Sequence, residues 1–341
     1  MPISDHNEFQ LIEHWADILP PNDASKVLLG IGDDAACLTD LQSPVFSCDA
    51  LIENVHFRHE WISPRLLGWK SMAVNVSDMA AMGAAPGAVT ISLALPPQTK
   101  TEWVEDLYRG FADAAEQFHF SIVGGDTTKS NQIMISVAII GELITSRALR
   151  RDAAKDGDAL LVTGSLGDSA AGLAVLQSDK KLRTPFEQHC VEKHLRPNPR
   201  LAEIQAASKV GDALHAAIDI SDGIAGDAAH IAKSSNLDLI IEATQIPISD
   251  YCRQTADNVN ADPLNWALAG GEDYELLLCV DPNAADDVIE LIQSATNTPV
   301  RPVGFCRKAA SAQGKVLLQD KGKAIASPQS WRHFKGNINH D

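Results

Sequence analysis

The chain of 341 residues is acidic: it has 28 Lys and Arg against 45 Asp and Glu, and a formal net charge of −17. This charge argues against a nucleic-acid surface or an anionic membrane as partner, and no apolar run is long enough to predict a membrane span. The six cysteines are scattered without a Cys-x-x-Cys pair, and the first ten residues are polar, with no secretory signal. We therefore expect a cytoplasmic protein of two ordinary domains with reduced thiols.

Hydrophobic periodicity predicts alternating strands and helices in the first 150 residues. A helix is predicted around residues 69–82, where Met72, Val76 and Met79 recur at helical spacing and Gly83 follows as a stop signal. The other predicted elements are, in chain order, a helix at 9–19, strands at 27–31, 45–49 and 88–95, a helix at 103–118, and strands at 121–123 and 133–140.

Residues 146–158 are basic and then polar, without apolar periodicity. This change in composition predicts a boundary between domains 1–150 and 151–341. The second domain again reads as an α/β block. Its predicted elements are strands at 159–163, 216–220, 237–242, 274–280 and 300–305, helices at 169–177, 224–234 and 284–294, and a Pro- and Asp-bearing insertion at 247–263.

Asp78 is a carboxylate in a predicted helix made mostly of small and apolar residues. Such a helix has little solvated surface, so the carboxylate needs a cation or a set of hydrogen-bond donors. An ordinary ion pair or a bond to backbone N–H groups would satisfy Asp78 equally well, and the residue alone does not choose between these roles.

An apolar strand or helix followed by Gly or Ser and then Asp recurs along the chain. The instances lie at 32–34, 47–49, 77–78, 124–126, 219–223 and 271–273. One Gly-Asp is typical of a turn, but carboxylates gathered at the ends of buried elements repel one another unless cations neutralise them. Oxygen ligands without a Cys or His cluster favour Mg²⁺, which usually shares its coordination with phosphates.

The glycines before these carboxylates add two weaker indications. Gly124 and Gly125 would let a backbone approach a phosphate closely. The pair Gly164 and Gly167 before a predicted helix is typical either of a tight strand-to-helix turn or of an anion site at a helix N-terminus, and both alternatives stay open. No P-loop, dinucleotide-binding or nucleophile-elbow motif is present in the sequence.

Several longer motifs resemble the thiamine-monophosphate kinase family over nearly the whole chain, from about residue 9 to 334. The matching segments are 30–36, Asp49 with 54–57, 74–83, 124–128, 218–223 and 270–275. The resemblance implies the aminoimidazole-ribonucleotide-synthetase-like fold, an α/β (α+β) architecture. Its N-terminal domain would bind ATP and Mg²⁺ and dimerise through a mixed sheet, and its C-terminal α/β domain would complete the active site.

The family pattern also implies roles for individual residues. The implied magnesium-site residues are Asp34, Ser47, Cys48, Asp49, Asp78, Asp126, Asp219 and Asp222, where Cys48 replaces the Thr that the family often has. The implied ATP contacts are Gly125, Asp126, Arg151 and Ser221, with Arg150 open as an alternative to Arg151. Arg196 and Arg200 also match the family pattern, and a structural and a phosphate-adjacent role both stay open for them. The implied substrate contacts are His56, Glu272 and Trp331. The residues implied to be catalytic are Asp126, Asp49 and Asp222.

The implied activity is phosphorylation of thiamine monophosphate by ATP with several Mg²⁺ ions, in a homodimer without nucleic-acid or membrane partners. Rival hypotheses within the fold are a selenophosphate synthetase, which would want a Cys near the N-terminus, and a hydrogenase-maturation protein, which would want a reactive C-terminal Cys. The sequence has neither cysteine. A non-catalytic nucleotide-binding regulator is the alternative from another class, and the intact motif carboxylates argue against it.

Overall fold

A computed structural model of the chain describes residues 8–31, 35–39, 41–178 and 183–326. The chain forms two compact units. The N-terminal unit consists of Met1–Leu149 with Leu195–Asp212 and Ser294–Thr296, and the C-terminal unit consists of Arg150–His194, Ala213–Gln293 and Asn297–Asp341. The first boundary lies one residue from the division expected at 150/151, but two later segments return to the N-terminal unit.

The helices and strands of both units follow one another along the chain. The helices are α1 (Glu8–Ala16), α2 (Pro64–Ala81), α3 (Thr101–Phe118), α4 (Asp168–Gln177), α5 (Pro185–Leu195), α6 (Leu201–Ala207), α7 (Ile224–Ser235), α8 (Asp250–Val259), α9 (Pro263–Ala269) and α10 (Ala285–Thr296). The strands are β1 (Val27–Leu29), β2 (Cys37–Leu38), β3 (Pro44–Ile52), β4 (Ala84–Leu95), β5 (Ser121–Lys129), β6 (Met134–Leu143), β7 (Ala159–Thr163), β8 (Leu214–Ile220), β9 (Leu237–Glu242), β10 (Glu275–Val280), β11 (Val300–Lys308), β12 (Val316–Asp320) and β13 (Lys323–Ala324).

The N-terminal unit is built on a four-stranded sheet of order β3-β6-β4-β5. Strand β6 pairs antiparallel with β3 and β4, and β5 pairs parallel with β4. Helix α2 lies on one face of the sheet and α3 packs on α2. These helices cross closely because each has a glycine at the crossing. A Cβ at Gly68 would lie 2.2 Å from the Leu107 carbonyl oxygen, and a Cβ at Gly110 would lie 2.0 Å from the Arg65 carbonyl oxygen.

Helix α2 is the buried centre of this unit. Ser63 caps it, since its hydroxyl accepts a hydrogen bond from the Leu66 N–H, and Pro64 occupies its first turn. Every residue from Leu67 to Ala81 is buried except Asp78, which is half-buried. The expectation of a lone carboxylate in an otherwise buried helix is therefore confirmed.

The face of the four-stranded sheet that α2 does not cover is called the open face here. Phe46 and Met134 lie on it, 68% and 37% exposed. Cys48 lies on the same face, because side chains alternate along a strand and Cys48 is two residues from Phe46.

The C-terminal unit contains a seven-stranded sheet of order β13-β12-β9-β11-β7-β10-β8. All its pairs are antiparallel except that of β12 with β9. Strands β8 and β10 are buried along their whole length. Helix α7 packs on β8 and β9, and α9 packs on α7. The carboxyl end of β8 is thereby held firmly within the core.

Several predicted boundaries were wrong, each for a physical reason. Strand β5 runs through residues 124–128, which were expected to form a loop, because its pairing with β4 continues to Lys129. Likewise, β3 continues beyond Asp49 to Ile52 along β6. The insertion at 247–263 contains α8, whose buried Cys252, Thr255 and Ala256 have helical spacing. The sequence prediction also missed α5, α6, α9, β2, β12 and β13.

Candidate active site

The first group of candidate residues lies where β3 passes under α2. The Ser47 hydroxyl donates a hydrogen bond to Oδ2 of Asp78. The Asp49 N–H donates to Oδ1 of Asn75 at 3.1 Å, and the Asn75 amide donates to the Ser71 carbonyl at 3.0 Å. Asn75 thus ties the carboxylate-bearing strand to the helix, a role that the sequence did not assign to it.

Asp49 and Asp78 are close enough to influence each other electrostatically. Burial and, to a smaller extent, the nearby Asp78 charge together raise the pKa of Asp49 from 3.8 to about 6. A cation beside the pair would reverse this effect, and the donors present are all oxygens, which fits Mg²⁺. Within the described residues, no three His, Cys, Asp or Glu side chains converge to hold a metal by themselves. Water and phosphate would have to complete the coordination.

Cys48 does not bring its thiol to this group. It lies between Ser47 and Asp49 on β3, so its side chain points to the opposite face of the sheet. There its Sγ lies 3.7 Å from the Ser136 hydroxyl oxygen. Only the backbone of Cys48 is near the carboxylates, so the replacement of the family's usual Thr does not change their side-chain donors.

Gly125 and Asp126 lie on β5, at the other edge of the sheet from β3. A Cβ at Gly125 would lie 2.0 Å from the Ile91 carbonyl oxygen, so the close approach of β4 already requires glycine there. Asp126 is exposed, and the register aligns it with Ser92 and Ser136 on the open face. Three strand spacings, about 14 Å, separate β5 from β3. The sheet therefore does not bring Asp126 beside Asp49.

His56 lies in the turn after β3, and its Nδ1 accepts a hydrogen bond from the Ile52 N–H at 3.0 Å. The neutral ring therefore carries its proton on Nε2. One ring nitrogen of His56 is thus committed to the turn.

The third group lies where β8 meets α7 in the C-terminal unit. Asp219 is buried near the end of β8, and Ser221 and Asp222 form the turn that follows. Both turn N–H groups donate to Oδ2 of Asp227, at 3.1 and 3.0 Å. Gly223 makes the turn possible with φ +92°. Asp227 was missed by the sequence prediction, although an acid in the first turn of a helix is a recognised signal.

Three carboxylates are crowded in this third group. The pKa of Asp227 is raised to about 8, mainly by burial and also by the charges of Asp219 and Asp222, against the lowering effect of the two turn N–H groups. Asp227 itself is only 3% exposed. As for the pair under α2, a nearby cation would reduce the repulsion between these carboxylates.

The loop 270–274 packs against this turn in a strained conformation. Glu272 and Tyr274 have φ values of +67° and +51°, which non-glycine residues seldom adopt. The Glu272 N–H donates to the Ser221 carbonyl at 2.8 Å, and the Tyr274 N–H donates to that of Ile220 at 2.9 Å. Glu272 is thereby fixed beside Ser221.

The turn before α4 is already filled by carboxylates of the protein. Oδ2 of Asp273 accepts from the Gly167 N–H at 2.8 Å, and Oδ1 accepts from the Ser169 N–H at 3.2 Å. At Gly164, a Cβ would lie 2.1 Å from Oε1 of Glu275. Of the two alternatives that the sequence left open for this turn, the structure favours a tight turn capped from within.

Two regions of the chain match known families. Residues 32–143 match the AIR synthase related protein, N-terminal domain, and residues 155–306 match the AIR synthase related protein, C-terminal domain. The chain is 38% identical over 335 residues to a thiamine-monophosphate kinase of Aquifex aeolicus (strain VF5). This match covers 98% of this chain and 100% of the relative. It is 35% identical to that of Escherichia coli (strain K12), with 96% and 98% covered. The chain belongs to the thiamine-monophosphate kinase family.

A solved thiamine-monophosphate kinase family structure, AaThiL complexed with AMPPCP and TMP, superposes with a TM-score of 0.76 at 31% sequence identity. The superposition covers 98% of this chain and 99% of that one. The expected aminoimidazole-ribonucleotide-synthetase-like fold is thus confirmed by the family matches and by this structure.

The thiamine-monophosphate kinase motifs left a choice between two arginines as the ATP contact. The Nε of Arg150 donates to Oδ1 of Asp152 at 2.8 Å, so this guanidinium is engaged at the surface. Arg151 acts instead on His230: burial lowers the pKa of His230, Arg151 lowers it further, and Asp222 raises it. Arg151 and Asp222 therefore lie in one electrostatic neighbourhood, which favours Arg151.

Arg196 and Arg200, which also match the thiamine-monophosphate kinase pattern, have structural contacts. The Arg196 guanidinium lies 4.3 Å from the centre of the Trp69 ring, and Arg200 pairs with Glu203 at 3.3 Å. Two residues implied by the family pattern, Asp34 and Trp331, lie outside the described residues.

Proposed function

We propose that the chain transfers the γ-phosphoryl group of ATP in line to the phosphate of thiamine monophosphate, forming thiamine diphosphate and ADP in thiamine diphosphate biosynthesis. The observation that carries this proposal is near-full-length similarity to thiamine-monophosphate kinases, one of them solved with AMPPCP and TMP. The clustered carboxylates of both units support it, because such a transfer joins two highly anionic reactants.

The acceptor in this reaction is an ionised phosphate oxygen, so no strong general base is needed. The residues that would hold Mg²⁺ are Asp34, Asp49, Asp78, Asp126, Asp219 and Asp222, with Ser47 and the Cys48 backbone beside them. When bound, Mg²⁺ would neutralise the repulsion between the reactants and the charge of the transition state. Asp126 and Asp49 lie on opposite edges of the sheet, which favours several ions over one.

The remaining contacts follow the chemistry of the side chains. Gly125, Asp126, Arg151 and Ser221 are proposed as the ATP site. His56 would donate its Nε2–H to the substrate, and Glu272 would pair with the cationic thiamine moiety. Trp331 would offer an aromatic face for the flat rings of the same moiety.

A homodimer through the open face is part of the proposal. A sheet face that exposes both Phe46 and Met134 is the kind of apolar surface that a second copy would cover. Light scattering at micromolar concentration tests the homodimer directly, and a monomer would refute it.

Among the helices of the described residues, none has the length and apolar character of a membrane span. The cytoplasmic location stays a prediction.

A coupled ADP-release assay tests the activity. We expect Mg²⁺-dependent ADP release with thiamine monophosphate, with thiamine diphosphate as the second product, and no release above background with thiamine or with aminoimidazole precursors. Asp222→Asn serves as the inactive control. Release that does not depend on thiamine monophosphate, or an inactive protein that binds the nucleotide normally, would contradict the proposal.

A further inference from the structure

His194 is a buried histidine that the proposed mechanism does not use. It lies near the end of α5 with a side chain only 6% exposed, and it contacts Glu272, whose side chain is 23% exposed. The distance from Nδ1 of His194 to Oε2 of Glu272 is 3.2 Å. The same Nδ1 lies 3.0 Å from the Ser169 hydroxyl oxygen. The buried His194 ring thus contacts the partly exposed Glu272 carboxylate.

The contact is made by one ring nitrogen of the histidine. A carboxylate oxygen accepts hydrogen bonds, so a hydrogen on Nδ1 is what suits the contact with Oε2 of Glu272. The Ser169 hydroxyl oxygen lies within hydrogen-bond distance of the same nitrogen. His194 therefore acts on Glu272 through one specific atom, and its position depends on Ser169.

Asp273 closes this arrangement into a ring of contacts. Its carboxylate accepts the backbone N–H of Ser169, and it directly follows Glu272 in the chain. Glu272 is consequently restrained on both sides, by its left-handed backbone at φ +67° and by His194 at its side-chain end. A glutamate side chain normally has considerable rotamer freedom, which this environment removes.

We propose that His194 is a positioning residue that orients the Glu272 carboxylate toward the cationic heteroaromatic part of thiamine monophosphate. This inference rests on the proposed function. The role predicts an effect on thiamine monophosphate that is separate from nucleotide binding.

The test exploits the shapes of amide side chains. The Nδ2 of asparagine can take the place of Nδ1 of histidine, whereas the amide of glutamine reaches the place of Nε2. We expect His194→Gln to raise the KM for thiamine monophosphate about tenfold, as expected when a hydrogen bond to a charged group is lost. His194→Asn should stay within about threefold of the wild type, since it restores the donor. The KM for ATP should change less than about twofold in both, because His194 acts only through Glu272.

Two controls separate positioning from folding. His189→Gln changes another histidine of α5, one that stacks on Tyr251 at 3.9 Å, and should leave both KM values unchanged. In a double-mutant cycle, the effect of His194→Gln should vanish in a Glu272→Ala background, even if His194→Gln also lowers the melting temperature.

The possible results distinguish the two levels of inference. An active wild type with an unchanged KM in His194→Gln overturns the inference, and so does an additive cycle or an equal rise in the KM for ATP. A wild type without turnover that depends on thiamine monophosphate contradicts the proposed function, and this inference falls with it.

Discussion

The two units hold their carboxylates in different ways. In the N-terminal unit Asp49, Asp78 and Asp126 lie within regular elements, two in strands and one in a helix. In the C-terminal unit Asp222 and Glu272 lie in a turn and in a strained loop, and other acidic side chains bind the backbone N–H groups there. Sheet and helix geometry positions the first set, whereas local hydrogen bonds position the second.

Because of this difference, substitutions of carboxylates in the two units should have different effects. Neutralising a carboxylate on a strand leaves the strand paired, so its loss is expected to alter ligand chemistry more than folding. In the C-terminal unit, the residues that hold the loops are themselves acidic and nearly buried. Substitutions there are expected to change geometry and stability together.

The largest effect is expected for Asp126→Asn in the N-terminal unit. The variant should fold normally, since Asp126 is exposed on an edge strand, but loss of a charged metal ligand should lower kcat by about 10- to 100-fold or more. Turnover at limiting Mg²⁺ and melting temperature are the measurements. Asp106→Asn on α3 is the control, and near-normal turnover of Asp126→Asn would exclude the metal role.

Asp227→Ala should show the contrasting behaviour in the C-terminal unit. The Ser221 and Asp222 N–H groups would lose their acceptor, at a cost of about 1–3 kcal/mol in the free energy of unfolding, and activity should fall as well. Asp227→Asn keeps an acceptor oxygen and should be milder. Urea denaturation measures both against Asp250→Ala, an exposed first-turn control on α8. Equal, small effects of the two Asp227 variants would refute the bracing role.

Trp331→Ala tests a residue that belongs to neither of the two sets of carboxylates compared above. If Trp331 stacks on the thiamine rings, the variant should bind thiamine monophosphate more weakly by about 1–2 kcal/mol while nucleotide affinity barely moves. Calorimetric titration with each ligand gives both affinities. Equal loss of both, or a large drop in melting temperature with substrate affinity preserved, would assign Trp331 to structure.

The smallest expected effect concerns pH and Asp49. Its pKa is raised from 3.8 to about 6, so between these values the folded protein keeps a proton that the unfolded chain has released. Without Mg²⁺, this contribution to stability is lost as the pH rises through that window. Asp49→Asn should lack the loss and be more stable at pH 7 in EDTA. Denaturation at pH 4 to 7 measures this loss of stability, with the exposed Asp17→Asn as control. Parallel curves of unfolding free energy against pH for wild type and Asp49→Asn would contradict the prediction.

Local patterns allowed much of the fold to be predicted. Strands β7 and β9 have the predicted bounds because their apolar runs end at turn residues, and α2 has the predicted buried character. Pairing is not a local property. Strand β5 continues through Gly124 and Gly125 only because β4 accompanies it, and no pattern within β5 indicates this.

The candidate site shows the same limit. The motifs marked Asp49, Asp126 and Asp222, but the order β3-β6-β4-β5 that separates Asp49 from Asp126 depends on contacts distant in sequence. The roles of Asp227, Asp273 and His194 were missed because these residues act on backbone groups or on another side chain, and such partners become visible only in three dimensions.

The capped turn before α4 has a consequence for inhibitor discovery. A free phosphate mimic would have to displace the Asp273 carboxylate, which is tethered to the same unit at an effective concentration on the order of millimolar or above. Fragment screens with small anions should therefore yield no hits at this helix terminus in the wild type. In Asp273→Ala the Gly167 and Ser169 N–H groups would lose their acceptor, so any anion bound at this turn should appear only in that variant.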